Sequence, residues 1–249
     1  MTHSVLLIGQ SNMAGRGNPS QAPAFNDPRL LVLRNGRWQK MYRPVNPDRP
    51  FSGVCLAESF VSEYAKDHAD VSVGIIPCAD GGTTLDQWAE GGVLYDNAVN
   101  NARLAQRSSE IVAVLWHQGE GDCHDGRYQR YEEKFLKIMN ALRRDLGLEN
   151  VPFILGGLGD FLPLREAEAQ YLNYGKVNEA LIKMASEQKM TGFASAEGLT
   201  ANADNLHFNA VSLLEFGLRY YEAFKKLESG IVLSGETKDD LERTALERL

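Results

Sequence analysis

The sequence predicts an α/β domain built on a parallel sheet of about five strands, with helices covering both faces. Two observations carry this expectation. Short apolar runs recur along the chain, and longer segments with helically spaced apolar residues lie between them. The runs are apolar from end to end, as in strands buried on both faces, which is the condition of parallel strands flanked by helices. A length of 249 residues suffices for one sizeable core, and no internal repeat or second domain is legible.

The first run, Val5–Ile8, reads as a buried strand ending at Gly9, so the stretch Gly9-Gln10-Ser11-Asn12-Met13-Ala14-Gly15 sits where that strand runs out. Residues 16–53 are rich in Pro, Asn, Arg and Gly. Only Leu30–Leu33 reads as a short strand there, with Gly36 as a turn. Such a long polar loop is either a site wall or lid, or an irregular surface excursion. Leu56, Phe60, Val61 and Tyr64 share one helix face, and Val71–Ile76 is the next strand. Ile111–Trp116 follows as a strand. Tyr128, Tyr131, Phe135, Ile138, Met139 and Leu142 give the clearest helical stripe, with Asp125 as a candidate cap. Phe153–Leu155 and a weaker Gly192–Ala196 read as strands, and Val177, Leu181 and Met184 as a helix face between them. Leu214, Leu218 and Tyr221 mark the last helix. The domain is expected to span residues 1–228, with 229–249 a charged extension in which Lys238–Leu249 could be one exposed helix.

A net charge of −7 argues against a general polyanion-binding surface, so no nucleic-acid partner is expected. A local basic patch around Arg43 and Arg49 could meet an acidic sugar or be ordinary solvated charge. No stretch reaches the roughly 18 apolar residues of a membrane span, so no membrane partner is expected. The N-terminus lacks a basic segment followed by an apolar signal core, so the expected location is the cytoplasm, or outside the cell if a signal peptide has been trimmed. Three cysteines, Cys55, Cys78 and Cys123, form no disulfide framework and fit a reducing compartment. Oligomeric state is not legible.

The chemistry lies in residues far apart along the chain. Ser11 is the candidate nucleophile, because open α/β sheets bind ligands outside the carboxyl ends of their strands. Serine needs a base to take its proton, and His207 is the candidate. Asp204 precedes it by three residues, close enough to hold the imidazole tautomer from one turn. Glu120, just past the Ile111–Trp116 strand, lies on the same edge and is a competing acid. His117, Glu120, Asp122, Cys123 and His124 carry metal-ligand atoms, but their spacing matches neither Cys-x-x-Cys pairs nor His-Glu-x-x-His, so no metal is expected. Gly9–Gly15 lacks the Gly-Lys-Ser/Thr ending of a phosphate loop. No cofactor is expected.

Four blocks, Gly9–Gly15, Gly81-Gly82-Thr83, Trp116-His117-Gln118-Gly119-Glu120 and Asp204-Asn205-Leu206-His207, resemble the SGNH-hydrolase superfamily. More narrowly, they resemble its sialate O-acetylesterase and carbohydrate esterase family 6 branch. They occur in that order over most of the chain. The resemblance implies a three-layer α/β/α, flavodoxin-like fold and a serine esterase that removes acetyl groups from a sugar, with sialate and acetylated xylan both open. It implies an oxyanion hole formed by the Ser11 amide, Gly81 or Gly82, and Gln118, which stands where most of the superfamily has Asn. In some relatives of this branch the Glu matching Glu120 is the acidic partner, so Asp204 and Glu120 both stay open, with Asp204 preferred. Gln10, Asn12, Thr83, Trp88 and His117 are the candidate substrate contacts, with Trp88 either stacking on a sugar or packing in the core or at the rim, and His117 otherwise packing or hydrogen-bonding beside the nucleophile strand. The expected partner is a small or oligosaccharide acetyl ester. The rival expectations are a carbohydrate-binding protein without turnover on the same fold, and a short-chain esterase acting on non-sugar esters.

Overall fold

Eight residues at the N-terminus, Thr2–Gly9, form strand β1, the centre of the sheet. The computed structural model describes the backbone of residues 1–165 and 169–246, and the side chains within these except at 169–170 and 230–246. After β1 come α1 (Ser11–Ala14), β2 (Leu30–Arg34), β3 (Arg37–Lys40), α2 (Ala57–Asp67), β4 (Ser72–Pro77) and α3 (Val93–Gln106). The chain continues with β5 (Glu110–His117), α4 (Tyr131–Leu146), β6 (Phe153–Gly156), α5 (Tyr174–Glu187), β7 (Thr191–Ala194) and α6 (Ala210–Leu246). Among the described residues no helix is long and apolar enough to cross a membrane.

The strand order is β3-β2-β4-β1-β5-β6-β7, parallel throughout except for the antiparallel β2–β3 pair. Five of these strands, β4-β1-β5-β6-β7, have the flavodoxin-like order. The sheet thus has seven strands where about five were expected, and both additional strands come from the polar segment after the serine. There Asn35 and Gly36 both adopt positive φ, at 49° and 72°, the conformation of a two-residue hairpin turn. The paired strand Arg37–Lys40 holds one apolar residue, Trp38, which is why its sequence does not read as a strand. Helices α2 and α6 pack together on one face, and α3, α4 and α5 lie on the other.

Two sequence expectations need correction, and one helix was not read. Helix α3 was not expected, because its buried face consists of Tyr95, Ala98, Val99, Ala102 and Ala105, small residues interleaved with Asn and Arg. Asp125 is no cap: it sits at φ 54° beside His124 and Arg127, and α4 starts at Tyr131 with no side-chain cap. In α6 Tyr221 is buried as the stripe implies and Leu214 packs against the core, but the most buried positions are Leu213, Phe216, Tyr220 and Phe224, and Leu218 is only half-buried. The helix continues through residues 229–246 without a break. The exposure expected of Lys238–Leu249 lies outside the described side chains, and residues 247–249 lie outside the described residues altogether.

The functional consequence of the topology lies at β1. The chain leaves it for β4 on one side and later returns to β5 on the other, so a crevice opens beyond the carboxyl ends of these three strands. Ser11 follows β1, Gly81 follows β4, and Glu120 follows β5.

Candidate active site

The serine turn is built by a close approach. Gly9 lies at φ 130°, and a Cβ there would fall 2.1 Å from the His117 carbonyl oxygen, so only glycine lets β1 end against β5. Gln10 N–H donates to that same oxygen at 2.8 Å, and the chain then turns into α1 with Ser11 as its first residue. The Ser11 N–H therefore has no acceptor within the helix.

His207 Nε2 lies 3.0 Å from Ser11 Oγ, and its Nδ1 lies 2.6 Å from Asp204 Oδ2. The other Asp204 oxygen accepts the Leu206 and His207 N–H groups, each at 3.0 Å. Burial pushes this carboxyl up, but the two N–H groups and the imidazole outweigh it and hold Asp204 below the usual carboxylate range. A serine, an imidazole and an ionised acid thus stand in one hydrogen-bonded line. Glu120 is outside that line. Its Oε1 takes Asn12 Nδ2 at 2.6 Å and lies 3.2 Å from His117 Nε2. It is buried, which pushes its carboxyl up, but His117 and Asn12 hold it below the ordinary range.

Several candidate site residues spend their polar groups inside the protein. Gln118 is fully buried, and its Nε2 donates to the Thr83 carbonyl at 3.0 Å and to Asp122 Oδ2 at 2.6 Å. Both amide hydrogens are used, so none remains for an oxyanion. His117 is sealed between Phe208 and Phe216, with Glu120 on Nε2 and the Tyr220 hydroxyl near Nδ1. Trp88 packs edge-on against Trp116 in the core and donates to Thr83 Oγ1, whose own hydroxyl donates to the Asp80 carbonyl. Asn12 joins the serine turn to the histidine loop, donating to the Leu206 carbonyl at 3.1 Å and accepting the Phe208 N–H at 3.0 Å. None of these four side chains offers a substrate a free face.

Two glycines were expected to compete for one role. The Gly81 N–H donates to Asp48 Oδ2 at 2.9 Å, whereas Gly82 N–H has no acceptor among the described residues. A cavity of about 370 Å³ opens over Ser11 and His207, lined also by Gln10, Arg16, Arg49, Phe51, Gly81, Gly82, Glu120, Gly121, His124, Tyr171 and Leu206. Gln10 does face it, with Oε1 accepting the Gly121 N–H at 3.2 Å. An apolar groove of similar size, about 430 Å³, lies between residues 23–30, α2 and α6, away from this chemistry.

Arg16, Asp48 and Phe51 were missed by sequence reasoning. The one available sign was their membership of the polar segment after the serine, which does form a wall here. The suggested basic patch divides: Arg49 reaches the cavity rim, but Arg43 binds Glu58 at 2.8 Å and stacks over Phe25. The metal-like run divides too, with Asp122 on Gln118 and His124 on Asp125. Among the described residues no group of three such side chains converges to hold a metal ion.

A sequence profile of the family described as carbohydrate esterase, sialic acid-specific acetylesterase, matches residues 1–226. A probable carbohydrate esterase from Arabidopsis thaliana is 29% identical over 247 residues, covering 88% of each chain. A solved structure of an Arabidopsis thaliana protein superposes with a TM-score of 0.79 at 27% identity, over 90% of this chain and 98% of that one. A carbohydrate acetylesterase from Xanthomonas citri shares the fold with a TM-score of 0.70 at 20% identity, over 91% of this chain and 56% of the other. NanS shares it with a TM-score of 0.69 at 16% identity, over 92% and 98%.

Proposed function

The chain belongs to the sialic acid-specific acetylesterase family of carbohydrate esterases, and from that membership we propose how its residues divide the work. The reaction is hydrolysis of a carbohydrate O-acetyl ester. Ser11 Oγ attacks the acetyl carbonyl carbon while His207 Nε2 takes its proton. Asp204 holds the Nδ1–H tautomer and stabilises the imidazolium. The N–H groups of Ser11 and Gly82 receive the charge that develops on the carbonyl oxygen. The tetrahedral species collapses, the C–O bond to the sugar breaks, and the departing oxygen takes the proton back from Nε2. Water then attacks the acetyl-serine with the same imidazole as base, releasing acetate and restoring Ser11.

One observation carries this assignment: the unbroken contact line from Ser11 Oγ through His207 to Asp204. It also favours turnover over sugar binding alone, since a binding protein has no use for a serine aligned with a base. Within the substrate class we propose an O-acetylated sialic acid, on the description of the matched family. The test is a panel of O-acetylated sialic acid, acetylated xylo-oligosaccharide and an aryl acetate, run beside a serine-directed covalent probe. Labelling at Ser11 and highest kcat/KM on the sialate are expected. Labelling at another serine would remove the mechanism, and a preference for the xylan fragment or the aryl ester would move the substrate.

A further inference from the structure

The polar segment that follows the serine does more than wall the cavity. Its residues 46–49 run beside the turn after β4, and three of their side chains take backbone groups there. Asn46 is buried and holds both ends of Ala79, donating from Nδ2 to the carbonyl and accepting the N–H on Oδ1, each at 2.9 Å. Asp48 Oδ2 accepts the Gly81 N–H at 2.9 Å, and Arg49 Nη2 donates to the Gly81 carbonyl at 2.9 Å. Between them, Asp80 N–H donates to the Gly9 carbonyl at 3.0 Å, and its own carbonyl accepts Thr83 Oγ1 at 2.8 Å.

Every peptide group from Ala79 to Gly81 is thereby bonded, and Gly82 N–H is the first donor left over. A trans peptide points its C=O and the next N–H in opposite directions. Arg49 draws the Gly81 carbonyl to itself, so the Gly82 N–H must face away from Arg49. The holders are themselves held. Asp48 receives Arg16 through two bonds, at 2.9 and 2.7 Å, and Ser52 Oγ at 2.6 Å, while Arg49 also meets Asp80 at 2.9 Å. The glycine turn lies against the nucleophile, since a Cβ on Gly81 would sit 3.3 Å from the Ser11 Cβ.

We propose that Asn46, Asp48 and Arg49 are positioning residues for the oxyanion site. Their side chains act as a substitute partner strand along Ala79–Gly81 and fix the Gly82 N–H toward the acyl oxygen. They touch no reacting atom, so their removal loosens a donor that matters most in the transition state. The inference rests on the esterase reading above.

The experiment measures Asp48→Ala, Asp48→Asn and Arg49→Met on an aryl acetate, together with inhibition by a boronic acid that forms a tetrahedral adduct on Ser11. Asp48→Ala and Arg49→Met should lower kcat by roughly 10- to 100-fold, less than the 10²–10³ of losing an oxyanion donor outright. KM should stay within about twofold, and the boronate inhibition constant should rise by the factor that kcat falls. Asp48→Asn keeps an oxygen for the Gly81 N–H and Arg16 Nη2 but sets its Nδ2 against Arg16 Nη1, so its kcat should fall less than that of Asp48→Ala. Arg49→Met changes a partly exposed side chain and tests the idea even if Asp48→Ala does not fold. Unchanged kcat in Arg49→Met, or a fall in kcat with unaltered boronate affinity, would overturn the proposal while leaving the esterase intact. A wild-type protein that neither turns over the ester nor binds the boronate would overturn both.

Discussion

Asp204 and Glu120 are both carboxylates held in the ionised form, but only one of them touches the imidazole that faces Ser11. Asp204→Asn keeps the shape and favours the wrong tautomer, so kcat should fall by up to about 10⁴, by analogy with serine proteases. Glu120→Gln should leave kcat within about tenfold of wild type and act mainly on stability, since the carboxylate it removes anchors Asn12 inside the protein. Steady-state kinetics and thermal melting on both variants check the pair, and the opposite order of severity in kcat would make Glu120 the partner. Gln118 belongs to the same scale. With both hydrogens on Thr83 and Asp122, Gln118→Ala strands a buried acid whose carboxyl burial already pushes up. The expected cost is about 1–3 kcal/mol of stability, with a loss of kcat well short of 10²-fold. A stable variant with kcat down 10³-fold would return Gln118 to the oxyanion site.

Among the elements, β1 does the decisive positioning. Its last residue is the point where β1 and β5 close on each other, and Gly9 is there because a side chain would overlap the His117 carbonyl. Gly9→Ala should destabilise the protein by more than about 2 kcal/mol, from backbone strain at positive φ together with the steric overlap. Urea denaturation of the purified variant measures it, and a shift of less than about 0.5 kcal/mol would show that the strand end can relax. The hairpin β2–β3 and helix α3 make a different point about elements. Asn35-Gly36 names its turn plainly, yet β3 is a polar edge strand, whose composition protects an edge and hides a strand alike. Helix α3 buries alanines, which carry little apolar signal along a sequence but let a helix lie close to the sheet.

At the scale of the molecule, a five-strand core is extended at one edge by the segment that also walls the cavity. One segment therefore widens the sheet and shapes the site. The three cysteines are all buried, and burial pushes Cys78 up to about 12 and Cys55 and Cys123 upward as well. No thiol should react with a disulfide reagent such as Ellman's in the native protein at pH 8, and all three should react once it is unfolded in guanidinium. Rapid native labelling of any one would show that its surroundings open.

The sequence by itself determined the parallel α/β class, the central strand with its serine turn, and the pairing of an early serine with a late acid and base. These are local facts: an apolar run, a glycine at its end, and two side chains three residues apart. It offered Gln118, His117, Thr83 and Asn12 as site candidates because they stand in the motif blocks, and Trp88 because it follows one. Position along a chain does not say which way a side chain points. At this sheet end Gln118, His117, Trp88 and Asn12 turn inward and spend their hydrogen bonds within the protein. Only the tertiary structure decided that Asp204 rather than Glu120 meets His207, that Asp48 occupies the Gly81 N–H, and that Arg16 and Phe51 line the cavity. Each depends on how separate segments pack against one another, which the order of residues along the chain does not state.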